Sequence, residues 1–111
     1  MKLEDGKKVL IHFFNAPVVL IVLAPKDWAN KTYDGSLVMG NMMLAAHALN
    51  IGSCWINRAR QEFETEEGKE ILKSLGIEGE YEGIGHCILG YIDGEYPNVL
   101  ARKPNRVYYV D

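Results

Sequence analysis
DGSLVMGNMMLAAHALNIGSCWINR, residues 34–58, decides how the rest of the chain is arranged. Leu37, Asn41, Leu44 and Ala48 fall on one face of a helix, and Val38, Met42, Ala45 and Leu49 on the next. A helix that is apolar on every side is buried on every side. Asp34 is the expected N-cap, its carboxylate accepting from the free N–H groups of the first turn; Ser36 is the other candidate. Leu49-Asn50-Ile51-Gly52 closes the helix. Asn50 falls at C′, where the backbone takes positive φ and Asn is the usual substitute for Gly. Ser53–Asn57 then reads as a short strand ending at the charged Arg58.

Upstream, Val18-Val19-Leu20-Ile21-Val22-Leu23 is unbroken and β-branched, the pattern of a central strand covered on both faces. Asn15-Ala16-Pro17 punctuates its start, because the residue before proline is pushed out of the α region. Val9–Phe14 is strongly apolar and reads as a helical turn or an arm against a neighbour, after a charged Met1–Lys8. Pro25–Tyr33 reads as a polar loop, with Trp28 a loop anchor or a wall beside a site.

Downstream, Ala59–Glu64 is a polar connection. Thr65 caps a second helix, with Glu66 and Glu67 in the first turn opposing its dipole. Ile71, Leu72 and Leu75 form its apolar stripe. Gly76 at C′ and Ile77 at C″, packed on Leu72, make a Schellman end. Gly83–Ile92 reads as a second central strand. Its glycines do not follow a strand and open a helix, so they serve close backbone approach or a bulge, not a phosphate loop. Arg106–Val110 reads as a last, edge strand. The sum is an α+β fold, a mostly antiparallel sheet packed on a long buried helix and a shorter one, in a single domain of residues 1–111.

Composition bounds the function. With 111 residues, 48% of them hydrophobic and 24% charged, the chain is globular and too apolar for disorder. A net charge of −3 leaves no basic footprint for nucleic acid. The longest apolar run, Ala16–Ala24, is far short of the roughly 20 residues that span a bilayer. Met1–Asp5 is too acidic to open a signal peptide, and Cys54 and Cys87 form no CxxC, so the cytoplasm is the expected compartment. His47, His86, Cys54 and Cys87 lack metal-ligand spacing; His86 and Cys87 are adjacent and face opposite sides of a strand. They read as a core histidine and inert core thiols. No Ser-His-Asp set or paired carboxylates stand out, and no catalytic or metal residue is assigned.

The same segments carry a resemblance. Asp34-Gly35-Ser36 before a Met/Leu/Ala-rich helix, then Ile51-Gly52-Ser53-Cys54-Trp55-Ile56, with Ala16-Pro17 entering one strand and Leu89-Gly90-Tyr91 ending another, resemble the nitroreductase family of FMN-dependent oxidoreductases. The likeness runs from about Asn15 to the C-terminus. It implies that Trp55, Ile56, Asn57 and Arg58 form the flavin edge, with a backbone N–H aimed at N5 and a flat apolar wall beside the ring. Without a flavin, this segment is a strand end with Trp55 in the core. The resemblance also puts Arg102 on the FMN phosphate, with Lys103 beside it a poorer match; a guanidinium binds phosphate bidentately. Without FMN, both are surface charges flanking a turn.

Two family features have no counterpart: the N-terminal Arg-x-Ser-x-Arg motif and a later Asn-x-Gln-Pro-Trp-like segment, both at the flavin. The chain resembles the C-terminal part of a nitroreductase, shortened at its N-terminus. The expected activity is two-electron transfer from NAD(P)H through FMN to a nitroaromatic, quinone or similar acceptor, in an intertwined homodimer joined through the apolar helix. The alternative is a non-catalytic homodimeric remnant that binds flavin weakly or not at all.

Overall fold
The computed structural model describes residues 14–111; Met1–Lys8 and all of the apolar run but Phe14 lie outside the described residues. Six elements follow in order: β1 (Val18–Pro25), α1 (Lys31–Ala48), β2 (Ile51–Ile56), α2 (Ala59–Glu64), α3 (Glu66–Ser74) and β3 (Tyr81–Tyr91). The strands form one antiparallel sheet in the order β1-β3-β2. This is the expected α+β fold, with one helix more.

β3 is the central strand, and its glycines show why. A Cβ at Gly83 would collide with the Ala59 carbonyl, and one at Gly85 would run into the Trp55 indole. The register shifts between Val22 and Leu23, leaving Ile84 as an extra residue on β3. That bulge puts Ile84 and Cys87 on one face, in a core cluster with Val22, Ala24 and Met39 of α1. On the other face, Ala59, Phe63 and Leu72 of α2 and α3 form a second cluster with Leu23 and Tyr81. Helices therefore cover both faces.

β1 departs from expectation. Among the described residues it is an edge strand, and Val18, Leu20 and Ile21 are 39–45% exposed. The helices reach only its Val22–Ala24 half. An unbroken apolar run records that both faces need cover, not what provides it.

α1 begins earlier than expected. Asn30 is the N-cap, without a side-chain bond, and the N–H of Asp34 donates to the Asn30 carbonyl at 2.9 Å. Asp34 is thus not the cap but a first-turn residue. Gly35, Met39 and Ala46 are buried, and Met42 and Met43 pack beside them. Full burial of Met39 stabilises the fold by about 1.5–3 kcal/mol. The opposite face is open: Leu37 is 69% and Leu44 71% exposed. This chain therefore buries one stripe of α1, not the whole helix. Asn50 has φ 59° and donates its N–H to the His47 carbonyl, the expected C′ geometry.

α2 and α3 meet at a tight corner. The Thr65 hydroxyl accepts from the Gly68 N–H at 3.1 Å and donates to the Glu62 carbonyl at 2.6 Å. α3 ends as expected: Gly76 has φ 75°, its N–H donates to the Lys73 carbonyl, and that of Ile77 to the Leu72 carbonyl. From Asp93 on, every residue is exposed, and Arg106–Val110 is not a strand. Among the described residues this β-prone segment pairs with no strand of the sheet. Tyr96 meets the His47 ring edge-on, centroids 6.3 Å apart.

Candidate functional site
The four residues expected at the ring edge lie at the end of β2 and in the turn after it. Trp55 pairs with Cys87 and Ile56 with His86, so their side chains leave opposite faces of the sheet. Trp55 packs on the α1 side, against the core cluster, its indole N–H buried without a partner among the described residues. Asn57 and Arg58 are exposed and form the whole connection from β2 to α2. Arg58 is the N-cap of α2, and its carbonyl accepts from the Glu62 N–H at 3.1 Å. Arg58 precedes the first hydrogen bond of α2, so its N–H has no partner within that helix.

Arg102 and Lys103 lie in the exposed segment after β3. No ion pair among the described residues engages them or ties them to Trp55–Arg58. Trp55–Arg58 are thus placed by the end of β2 and its turn, while Arg102 and Lys103 are exposed with no ion pair among the described residues.

Two neighbours of the edge were not singled out as functional. His86, 1% exposed, donates from Nε2 to the Glu62 carboxylate at 2.7 Å, since a carboxylate only accepts. Sequence marked His86 as a core histidine, and it is one. Glu62 carried a weaker signal: it shares a helical face with Ala59 and Phe63, which only the hidden helix in a polar segment brings out. Cys87 is buried as expected, and burial followed by the nearby Cys54 pushes its thiol above the usual 9.0. Cys54 is exposed and not a core thiol, because neither α2 nor α3 reaches its end of the sheet.

A cleft of about 500 Å³ lies between α3 and the Gly76–Tyr81 turn and contains none of the edge residues. A shallow depression of about 190 Å³ beside the edge has Gly52, Cys54, Ile88 and Gly90 in its lining. No helix among the described residues is long and apolar enough to cross a membrane.

A three-stranded antiparallel sheet held between one long helix and two short ones defines an α+β protein. Residues 5–95 match the nitroreductase family, and the chain belongs to it. It is similar to a nitroreductase with bound FMN from Bacteroides fragilis, with 29% identity and a TM-score of 0.80 over 90% of this chain and 54% of that one. An FMN-dependent nitroreductase from Clostridium difficile is 25% identical, with a TM-score of 0.70 over 86% of this chain and 61% of that one. A nitroreductase with bound FMN from Desulfitobacterium hafniense shares the fold at 20% identity and a TM-score of 0.75, over 100% of this chain and 62% of that one. The chain thus spans between half and two thirds of the length of these relatives. No curated protein sequence matches it.

Proposed function
We propose that this chain is an FMN-dependent oxidoreductase that passes two electrons from NAD(P)H to a nitroaromatic, quinone or similar small acceptor. The observation that carries this reading is the exposed two-residue turn Asn57–Arg58 after Trp55 and Ile56, in a chain similar to a nitroreductase with bound FMN and to an FMN-dependent one. Bound FMN supplies two-electron chemistry between a reduced nicotinamide and the acceptor. The chain's own part is to hold it: an amide of Asn57 or Arg58 donates to the ring edge at the end of β2, and Arg102 meets the phosphate with Lys103 beside it. Two cysteines without a CxxC pair support work in the cytoplasm.

The working unit is a homodimer. The Leu37–Leu44 stripe of α1 is open, and Val107–Val110 is 72–97% exposed. Open apolar surface on both segments fits a dimer burying more than about 2,000 Å².

The non-catalytic alternative rests on one observation, that Arg102 lies in an exposed segment with no ion pair to fix it. Titration of FMN into flavin-free protein, followed by flavin fluorescence, decides between the two. Saturable one-to-one quenching with NAD(P)H-dependent reduction of a nitroaromatic supports the enzyme. No quenching at millimolar FMN supports the remnant.

A further inference from the structure
The connection Asn57–Arg58 is two residues long, and both of its ends are tied to the same stretch of β3. At the β2 end, Ile56 is in register with His86. At the α2 end, the Ala59 carbonyl lies where a Cβ on Gly83 would be. Arg60 reaches Glu82 at 3.6 Å. The last tie is the His86 imidazole, which donates to Glu62 one turn into α2. His86 therefore holds both sides of the connection, β2 through its backbone and α2 through its side chain.

We infer that His86 is the positioning residue of the ring edge, fixing through Glu62 the direction in which the amides of Asn57 and Arg58 point. This rests on the FMN reading above and extends it to a residue that does not touch the cofactor. Three features support a mount over mere core filling. The imidazole is buried at 1% exposure, whereas Glu62 is 36% exposed and has water as an alternative partner. The pair ties α2 to β3, the strand that holds the end of β2 in register at Ile56, so it bridges the two sides of the turn in question. The Phe63 ring, next to Glu62 on α2, sits beside the imidazole, centroids 6.2 Å apart. An amide donor gives strength and selectivity only when held in place, so loosening α2 should cost ring binding before it costs the fold.

The experiment compares Glu62→Ala, Glu62→Gln and His86→Leu with the native chain in two measurements. The first is amide hydrogen exchange in flavin-free protein. The mount predicts exchange at residues 57–60 at least tenfold faster in Glu62→Ala and His86→Leu, with β1 and α1 unchanged and Glu62→Gln restored to within threefold. The second is FMN affinity, expected to fall at least tenfold in the same two variants and to recover in Glu62→Gln. Unchanged exchange at residues 57–60 in both variants overturns the mount, as does faster exchange spread evenly over the chain, which marks a general stability role. If the native chain itself binds no FMN, the functional reading fails, while the exchange measurement still decides whether His86 holds the turn.

Discussion
The indole N–H of Trp28 donates to the Asp34 carboxylate at 2.6 Å, joining the segment that leaves β1 to the first turn of α1. The bond is a charge-assisted one at an exposed site, and Asp34 also sits where a negative charge favours the helix dipole. Asp34→Ala should cost about 1 kcal/mol, and Trp28→Phe, which keeps the ring but not the donor, somewhat less. The double variant should cost less than the sum, because both single changes break the same bond. Urea unfolding measures all three; strict additivity would remove the bond from the account.

Asn50 holds φ 59° at the end of α1. Asn50→Gly should be neutral or slightly stabilising, since glycine takes that conformation freely. Asn50→Val should cost about 1 kcal/mol or more, because a β-branched residue is strained there. Thermal unfolding of the two variants gives the ordering; equal stability would contradict the turn geometry.

Gly40 separates an open helix face from an interface. It lies between Leu37 and Leu44 on the outer stripe of α1, and nothing lies within 4 Å of a Cβ built on it. In an isolated chain Gly40→Ala should stabilise the helix by about 0.5–1 kcal/mol. Against a second copy packed on that stripe, it should weaken the dimer. Leu44→Glu should abolish dimerisation while the chain stays folded, whereas a charge at Met42 or Met43 strikes the core beneath. Sedimentation at micromolar concentration reads both variants. A native chain that stays monomeric there sinks the dimer.

Local punctuation was the legible part of this sequence. Asn50, Thr65 and Gly76 each satisfy a backbone need within a few residues, so their roles could be read without the fold. The glycines of β3 were legible in kind, as close approach, but not in partner: Gly83 meets Ala59, 24 positions away. Where alternatives are alike locally, the reading failed. Asn30 and Asp34 are both fair caps, and only the bond to Trp28 shows what Asp34 does. The apolar runs at Val18–Leu23 and Arg106–Val110 signalled β-structure but not neighbours, and pairing is a long-range property. Of the candidate site, the turn Asn57–Arg58 follows from β2 ending at Ile56. The tie from His86 to Glu62 depends on the bulge at Ile84, which decides the face each later residue takes and leaves no mark in the local pattern.

The two thiols should behave differently. Cys54 is exposed and should be alkylated in the native protein; Cys87 is buried and should react only on unfolding. Burial, with Cys54 nearby, raises the Cys87 thiol above 9.0. The folded chain then keeps that proton where the unfolded chain has lost it. Its contribution is fully present below pH 9.0 and declines as pH rises toward the raised value. Stability measured from pH 8 to about 10 should fall less steeply in Cys87→Ala than in the native chain. Equal slopes would show that other groups account for the alkaline loss.

Phosphate recognition should be separable from ring recognition. Asn57 and Arg58 offer amides to a ring edge, whereas Arg102 sits in an exposed segment and must be ordered when it binds. FMN differs from riboflavin by its phosphate, so comparing the two isolates the Arg102 contact. Hydrogen bonds between charged groups contribute about 1.5–3 kcal/mol, a factor of roughly ten to a hundred in affinity. An exposed, unordered arginine should fall at the low end, because solvent screens the pair and fixing the segment costs entropy. FMN should therefore bind about tenfold tighter than riboflavin. Arg102→Ala should remove that difference without changing riboflavin binding, and Lys103→Ala should have a smaller effect. Fluorescence titration of both flavins into the three proteins is the measurement. If Arg102→Ala leaves the preference for FMN intact, the phosphate is held by other residues and Arg102 is a surface charge.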